Sequence, residues 1–124
     1  MNNAIIGLAS NRNEGENILR QTIEKLSRDF RSAIFSDCYL TDPVGSCSKR
    51  MYWNCTGIIE TDLEQDTLKN LFKTMEREAG RMSDCKQTGD IPLDIDIVVW
   101  NDRVVRPRDW EQPYFQTGLK QLKQ

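Results

Sequence analysis

Asp94 and Asp96 sit in the run Pro92-Leu93-Asp94-Ile95-Asp96-Ile97-Val98-Val99, alternating with Leu93, Ile95, Ile97 and Val99. A period of two is the pattern of a half-buried β-strand, with its apolar residues on one face and its carboxylates on the other. Same-face neighbours on a strand are roughly 6.5–7 Å apart at a rise of about 3.3 Å per residue. Two anions held that close on a rigid element can bind a hard cation, or bridge two. An antiparallel sheet with a wet face also places aspartates this way, so the pair by itself leaves both readings open.

The elements that would position the pair follow from periodicity. Residues 4–8 form a short apolar strand. Asn13 with Glu16 makes a capping-box pattern ahead of a helix with the stripe Leu19, Ile23, Leu26 and Phe30. Residues 32–40 alternate as a strand, and Thr41 to Arg50 form a loop rich in turn residues. A third strand covers residues 52–60, with Tyr52, Asn54, Thr56 and Ile58 on one face. Asp62 and Gln65 predict the cap of a second helix with the stripe Leu68, Leu71, Phe72, Met75 and Ala79. Gly80 is placed to end it. After the aspartate strand, Asn101-Asp102 signals a turn and Val104-Val105 a short edge strand. The order β-α-β-β-α-β predicts an α+β, ferredoxin-like fold in one domain, residues 1–124, with both helices on one face and the ligand site on the other. Leu93, Ile95, Ile97 and Val99 would all face the helices.

Composition narrows the functional classes. Seventeen Lys and Arg against nineteen Asp and Glu give a net charge of −2, with a pI near 5.2 and mean hydropathy of −0.63. That balance argues against nucleic acid or an acidic membrane as the main partner. RNA binding on this plan would also want adjacent exposed aromatics, whereas Tyr52 and Trp53 point to opposite faces. The chain has no histidine, and Cys38, Cys47, Cys55 and Cys85 form no CxxC pair. A zinc site and a Cys/His catalytic pair are therefore disfavoured, and the cysteines read as free thiols in a reducing cytoplasm. The first residues lack the basic start and apolar length of a signal peptide, and no run reaches membrane-spanning length.

Four separated pieces then stand in order: Ser10-Asn11 after the first strand, Thr41-Asp42-Pro43-Val44-Gly45, Tyr52-Trp53-Asn54, and Glu76…Gly80-Arg81 followed by Leu93-Asp94-Ile95-Asp96-Ile97. In this order and spacing they resemble the 6-hydroxymethyl-7,8-dihydropterin pyrophosphokinase family of folate biosynthesis, over residues 4 to about 100. The resemblance implies transfer of the β,γ-diphosphate of ATP to the hydroxymethyl group of the pterin, leaving AMP. It implies that Asp94 and Asp96 hold two Mg²⁺ ions, with Arg81 beside them as a third catalytic residue. Asn54 would hydrogen-bond the pterin edge, Tyr52 would stack on it, and the backbone around Thr41, Asp42 and Val44 would complete that pocket. Glu76, Arg81 and Ile97 would lie at the nucleotide. Taken singly, Asn54 is also an ordinary strand residue, Tyr52 a packed aromatic, and Glu76 part of a solvated helix face.

The match has departures. The family places an arginine three residues before the first aspartate, and here that position is Ile91. In the preceding loop only Arg81 and Lys86 are cations. Losing such a charge contact removes on the order of 10²–10³ in rate. Ala9 replaces a glycine, and Pro113-Tyr114-Phe115 stands where the family has Pro-His-Tyr. The sequence reads as short at its C-terminal end. Arg106 and Arg108 are candidate replacement cations, and Phe115 either a stacking aromatic or a core residue. Two readings follow: a diphosphotransferase, or a divergent relative that binds a pterin or nucleotide with little turnover.

Overall fold

Alternation of small and branched residues through the N-terminal run makes β1 (Asn2–Ser10) the centre of a sheet with both faces covered. A computed structural model describes residues 1–42, 50–82 and 88–123. Along the chain follow α1 (Gly15–Asp29), β2 (Ser32–Phe35), β3 (Tyr39–Thr41), β4 (Tyr52–Thr61), α2 (Gln65–Glu78), β5 (Asp94–Trp100), β6 (Arg103–Val104), α3 (Pro107–Trp110) and α4 (Pro113–Leu122). The sheet order is β2-β4-β1-β5-β6, with β3 also paired to β4, and all these pairings are antiparallel. The expected βαββαβ, α+β plan is present.

The helical stripes seat as their spacing requires. Leu19 and Leu26 of α1 and Leu68, Phe72 and Met75 of α2 close over Ala4, Ile6, Leu8, Cys55, Ile59, Ile95 and Ile97. The starts of the helices differ from the capping patterns. Their N-caps are Glu14 and Glu64, and neither makes a side-chain cap bond. Packing decides the first case: Gly15 lies against the Trp53 ring and the Ser10 side chain, so closely that a Cβ would stand 2.9 Å from Trp53. In the second, Thr61 Oγ1 takes the N–H of Leu63 and forms the turn before the helix.

Two irregularities correct the expected strands. Residues 32–40 are not one strand. Phe35 pairs with Gly57 and Tyr39 with Asn54, so four steps on one side match three on the other, and the extra residue breaks the ladder. In β5, Ile5 pairs with Val99 but Ile6 pairs with Ile97. Val98 is the inserted residue of a bulge, which turns Val99 away from the α1/α2 side expected for it. Val98 and Val99 instead join Phe115 and Leu119 in a second apolar cluster.

That cluster exists because the second face is not open. The C-terminal residues form α3 and α4, and α4 lies across it. The Thr56 hydroxyl donates to the Phe115 carbonyl at 3.2 Å, and the Tyr39 hydroxyl donates to the Tyr114 carbonyl. Gly118 permits the approach, since a Cβ there would meet Thr56 Cβ at 2.8 Å. Gly118→Ala is expected to destabilise the protein by about 1–3 kcal/mol through overpacking. A urea midpoint equal to that of the parent protein would contradict this seating of α4.

Candidate active site

Among the described residues β6 pairs only with Val99 and Trp100, leaving the outer edge of β5 without a strand partner from Asp94 to Val98. A strand edge must satisfy its backbone groups some other way. Glu76 Oε2 accepts the Ile95 N–H at 2.8 Å. Arg81 donates to the Leu93 carbonyl at 3.4 Å and to Asp94 Oδ1 at 2.8 Å. The Val98 carbonyl accepts the N–H groups of Val105 and Arg106, at 2.8 and 3.3 Å.

Local structure delivers these groups. Helix α2 ends with Gly80 at φ +102°. Gly80 N–H bonds to the Arg77 carbonyl and Arg81 N–H to that of Glu76, the paired bonds of a Schellman motif. The chain reverses there, and Arg81 meets Glu76 Oε1 at 3.2 Å. Asn101 and Asp102 both have positive φ, 48° and 67°. This tight turn folds β6 back, and the bulge carbonyl of Val98 then brings Arg106 to 3.8 Å from Asp96.

Among the described residues, Glu76, Asp94, Asp96 and Asp109 thus share their ion pairs between two guanidinium groups, Arg81 and Arg106. Burial pushes the Asp96 carboxyl up to about 8, helped by the charge of Asp94 and a hydrogen bond with it, while Arg106 opposes the rise. Burial also raises Glu76, against the lowering effects of the Ile95 N–H and Arg81. Each crowded carboxylate favours a proton or a metal cation. Among the described residues, no three His, Cys, Asp or Glu side chains are grouped to hold a metal. A cation here would draw on Asp94 and Asp96 and take its other oxygens from water or ligand, a donor set that suits Mg²⁺.

Two cavities meet at the aspartates. The larger, ≈ 700 Å³, runs along the open edge of β5 against α2, with Lys69, Lys73, Glu76, Arg81, Ile97 and Arg106 on its walls. Because it wraps around an edge, it gathers residues from both faces of β5. The smaller, ≈ 70 Å³, lies on the second face between Asn54, Asp94, Asp96 and Asp109, roofed by Tyr114 and Phe115. Gly7 and Ala9 form its floor. Ala9 pairs with Asn54 on one side and Asp94 on the other, so a side chain without bulk separates the two polar groups.

The residues singled out in the sequence fall into distinct positions. Asp94, Asp96, Arg81 and Glu76 form one ion-pair cluster, and Ile97 lines the larger cavity beside them. Asn54 lines the smaller one; its Nδ2 donates to Thr41 Oγ1 and, at 3.3 Å, to the Tyr52 carbonyl. Tyr52 pairs with Thr41 at the end of the ladder. Asp42 follows as an exposed residue, and Val44 lies outside the described residues, as does Lys86. Of the two candidate replacement cations, Arg106 enters the site. Arg108 is exposed on α3, where its carbonyl accepts Gln112 Nε2. Phe115 is a core residue over Gly7. Sequence reasoning missed Asp109, Gly7 and Tyr114, and left Phe115 between a stacking and a core role; the small pair Gly7/Ala9 on one face of β1 was the available signal.

The sequence model of the 7,8-dihydro-6-hydroxymethylpterin-pyrophosphokinase family matches residues 5–124. The chain belongs to this family. It is similar to a folate synthesis bifunctional protein of Arabidopsis thaliana, at 27% identity over 95% of this chain and 26% of that protein. It also resembles a folic acid synthesis protein of Dictyostelium discoideum, at 28% over 90% of this chain and 17% of the relative. A 2-amino-4-hydroxy-6-hydroxymethyldihydropteridine pyrophosphokinase of Helicobacter pylori (strain ATCC 700392 / 26695) is 29% identical over 91% of this chain and 71% of its own length. The chain therefore spans about a quarter or less of the Arabidopsis and Dictyostelium relatives.

Within this pyrophosphokinase family member, Ile91 is held by Asn11 rather than by a ligand-facing charge. Asn11 Oδ1 accepts the Ile91 N–H at 2.8 Å, its N–H donates to the Ile91 carbonyl at 3.0 Å, and its Nδ2 donates to the Gly89 carbonyl at 2.6 Å. Arg12 adds a two-point pair with Asp90, at 2.9 and 3.1 Å. Ser10-Asn11 thus closes the end of β1 onto the segment leading to β5.

The Asp96 shift has a stability consequence. Its folded pKa of about 8 exceeds the ordinary 3.8, so the stabilising contribution of the neutral acid is complete below pH 3.8 and is lost as the pH rises through about 8. In chelator, the urea midpoint of the parent protein should fall over that window relative to Asp96→Asn. Parallel profiles would contradict the assignment.

Proposed function

We propose that residues 1–124 act as one pyrophosphokinase unit, transferring the β,γ-diphosphate of ATP to the hydroxymethyl group of 6-hydroxymethyl-7,8-dihydropterin and releasing AMP. The observation that carries this reading is the position of Asp94 and Asp96, which stand where the two cavities meet. A donor in one and an acceptor in the other would be joined at the carboxylates. The names of the relatives fit a place in folate synthesis.

ATP would lie in the larger cavity, its phosphates towards β5, with Glu76, Arg81 and Ile97 at the nucleotide. Lys69, Lys73, Arg81 and Arg106 give that wall the cations a triphosphate requires. The pterin would lie on the second face, its ring edge read by the Asn54 amide, with Tyr52, Thr41, Asp42 and Val44 completing the pocket. At ≈ 70 Å³ the space under Tyr114 and Phe115 is smaller than a bicyclic ring, so α4 must yield on binding. Two Mg²⁺ ions on Asp94 and Asp96 would neutralise the phosphates and favour ionisation of the attacking hydroxyl. In the transfer, that oxygen bonds to the β-phosphorus while the bond from the β-phosphorus to the bridging α-oxygen breaks, and AMP leaves with the bridging oxygen. Arg81 is pre-oriented by Glu76 and Asp94, and Arg106 by the Val98 bulge. Their charge is therefore in place without reorganisation.

Ile91 favours a second reading, binding without efficient transfer, since the family's arginine position carries no charge here. One experiment separates the two. Protein with ATP, Mg²⁺ and 6-hydroxymethyl-7,8-dihydropterin should release AMP, and Asp94→Ala or Asp96→Ala should abolish release. Arg106→Ala should slow it on the order of 10²–10³-fold if that guanidinium replaces the missing cation. Magnesium-dependent binding of a non-hydrolysable ATP analogue without AMP would establish the binding reading; no binding of either ligand would overturn both.

A further inference from the structure

Two thiols outside the polar cluster flank a cross-strand pair, one member of which, Asn54, lines the second-face pocket. Cys38 precedes Tyr39 and Cys55 follows Asn54, and Tyr39 and Asn54 are cross-strand partners. Cys38 is half-buried and Cys55 buried, and both are free thiols. Both belong to the apolar cluster under α1, so their side chains share the face opposite Tyr39 and Asn54. Tyr39 and Asn54, as opposed residues of an antiparallel pair, have Cα atoms about 4.5–5.5 Å apart, and Cys38 and Cys55 flank them one step along each strand, near the roughly 4.4–6.8 Å that a disulfide spans. Residues 36–38 lie outside regular strand, where the extra residue interrupts the ladder. The Cys38 backbone can therefore close on Cys55 while the Ser36 N–H keeps its bond to the Thr56 carbonyl at 2.8 Å.

The surroundings divide the labour between the two sulfurs. The Cys55 thiol donates to the Ser36 carbonyl at 3.3 Å. The neighbouring Cys55, first, and then Arg20 hold the Cys38 thiol below its ordinary range, against burial and the charges of Glu16 and Asp37. Cys55 is pushed well up, by the neighbouring Cys38 and by burial. A half-buried thiol near a buried one is the arrangement of an attacking and a resolving pair.

We propose that Cys38 and Cys55 form a thiol–disulfide exchange site for low-molecular-weight disulfides of the glutathione class. The Cys38 thiolate attacks one sulfur of the oxidised disulfide, forming a mixed disulfide and releasing one glutathione thiolate, which takes up a proton. The Cys55 sulfur then displaces the second glutathione, its proton passing to the departing thiolate, and the Cys38–Cys55 bond forms. Two protein thiols are oxidised and one glutathione disulfide is reduced to two thiols. The new bond ties β3 to β4 next to Tyr39 and Asn54, at the pocket wall that, on the pyrophosphokinase reading, receives the pterin.

The test is covalent and independent of that reading. Protein of residues 1–124 carrying Cys47→Ser and Cys85→Ser is treated with oxidised glutathione and measured by intact mass and peptide mapping. Loss of two hydrogens, a Cys38–Cys55 peptide pair and full reversal by dithiothreitol are expected. Adding Cys55→Ser should arrest the reaction as a single glutathione adduct on Cys38, and adding Cys38→Ser should leave the protein unmodified. Retention of both thiols without that last change, or a stable adduct with no internal link while Cys55 is present, would overturn the proposal. Where an AMP assay responds, oxidation should lower pterin binding and reduction restore it; unchanged binding on complete oxidation would overturn the link to the pocket.

Discussion

The unpaired edge of β5 organises this molecule. A central sheet normally answers the backbone groups of one strand with those of the next, but over Asp94–Val98 that role passes to side chains and to one carbonyl contact. Glu76 reaches up from α2 to the Ile95 N–H, Arg81 crosses to the Leu93 carbonyl, and the Val98 carbonyl takes two N–H groups from the segment after β6. These bonds satisfy buried polar groups whose desolvation would otherwise cost about 1–3 kcal/mol each. They also leave a trough along the strand edge, lined by the carboxylates and guanidinium groups recruited to close it.

At the carboxylates themselves negative charge is in excess: among the described residues Glu76, Asp94, Asp96 and Asp109 share the ion pairs of Arg81 and Arg106, while Lys69, Lys73 and Arg77 also line the trough. The Glu76–Arg81–Asp94 triad is internally satisfied, so the excess falls on Asp96, where Arg106 at 3.8 Å is a loose counter-ion. Asp96 can therefore meet a cation without giving up a tight ion pair, whereas Asp94 is already paired with Arg81 at 2.8 Å. Arg106 reaches it through a backbone irregularity. Without the extra residue at Val98, the strand would continue in register and its carbonyl would not hold the Val105–Arg106 backbone.

Much of the framework was legible because the stripes of α1 and α2 are regular and β1, β4 and β5 alternate. The order βαββαβ follows from that periodicity, as does the paired orientation of Asp94 and Asp96. Gly80 was readable as a helix terminator for a local reason, its freedom to adopt positive φ. The two bulges were not readable. A one-residue insertion changes which face a side chain occupies without altering composition, and both bulges take their meaning from the partner strand. Helices α3 and α4 were equally opaque. Phe115 and Leu119 form an apolar stripe too short to announce a helix, and Gly118 is intelligible only once Thr56 lies beneath it.

The sequence by itself determined which residue types were available and their local periodicity: two aspartates on one strand face, an Asn54 face opposite Trp53, and a glycine-ended helix carrying Glu76. It also carried the family, through motif order. Tertiary structure alone decided that Glu76 is a buried acceptor rather than a solvated charge, that Arg106 and not Arg108 meets Asp96, and that α4 roofs the second face. The physical reason is range. Helical and strand periodicity are set by neighbours a few residues away, whereas a strand edge, a bulge register and the distance between charges are set by segments far apart in the chain, which meet only when the sheet has formed.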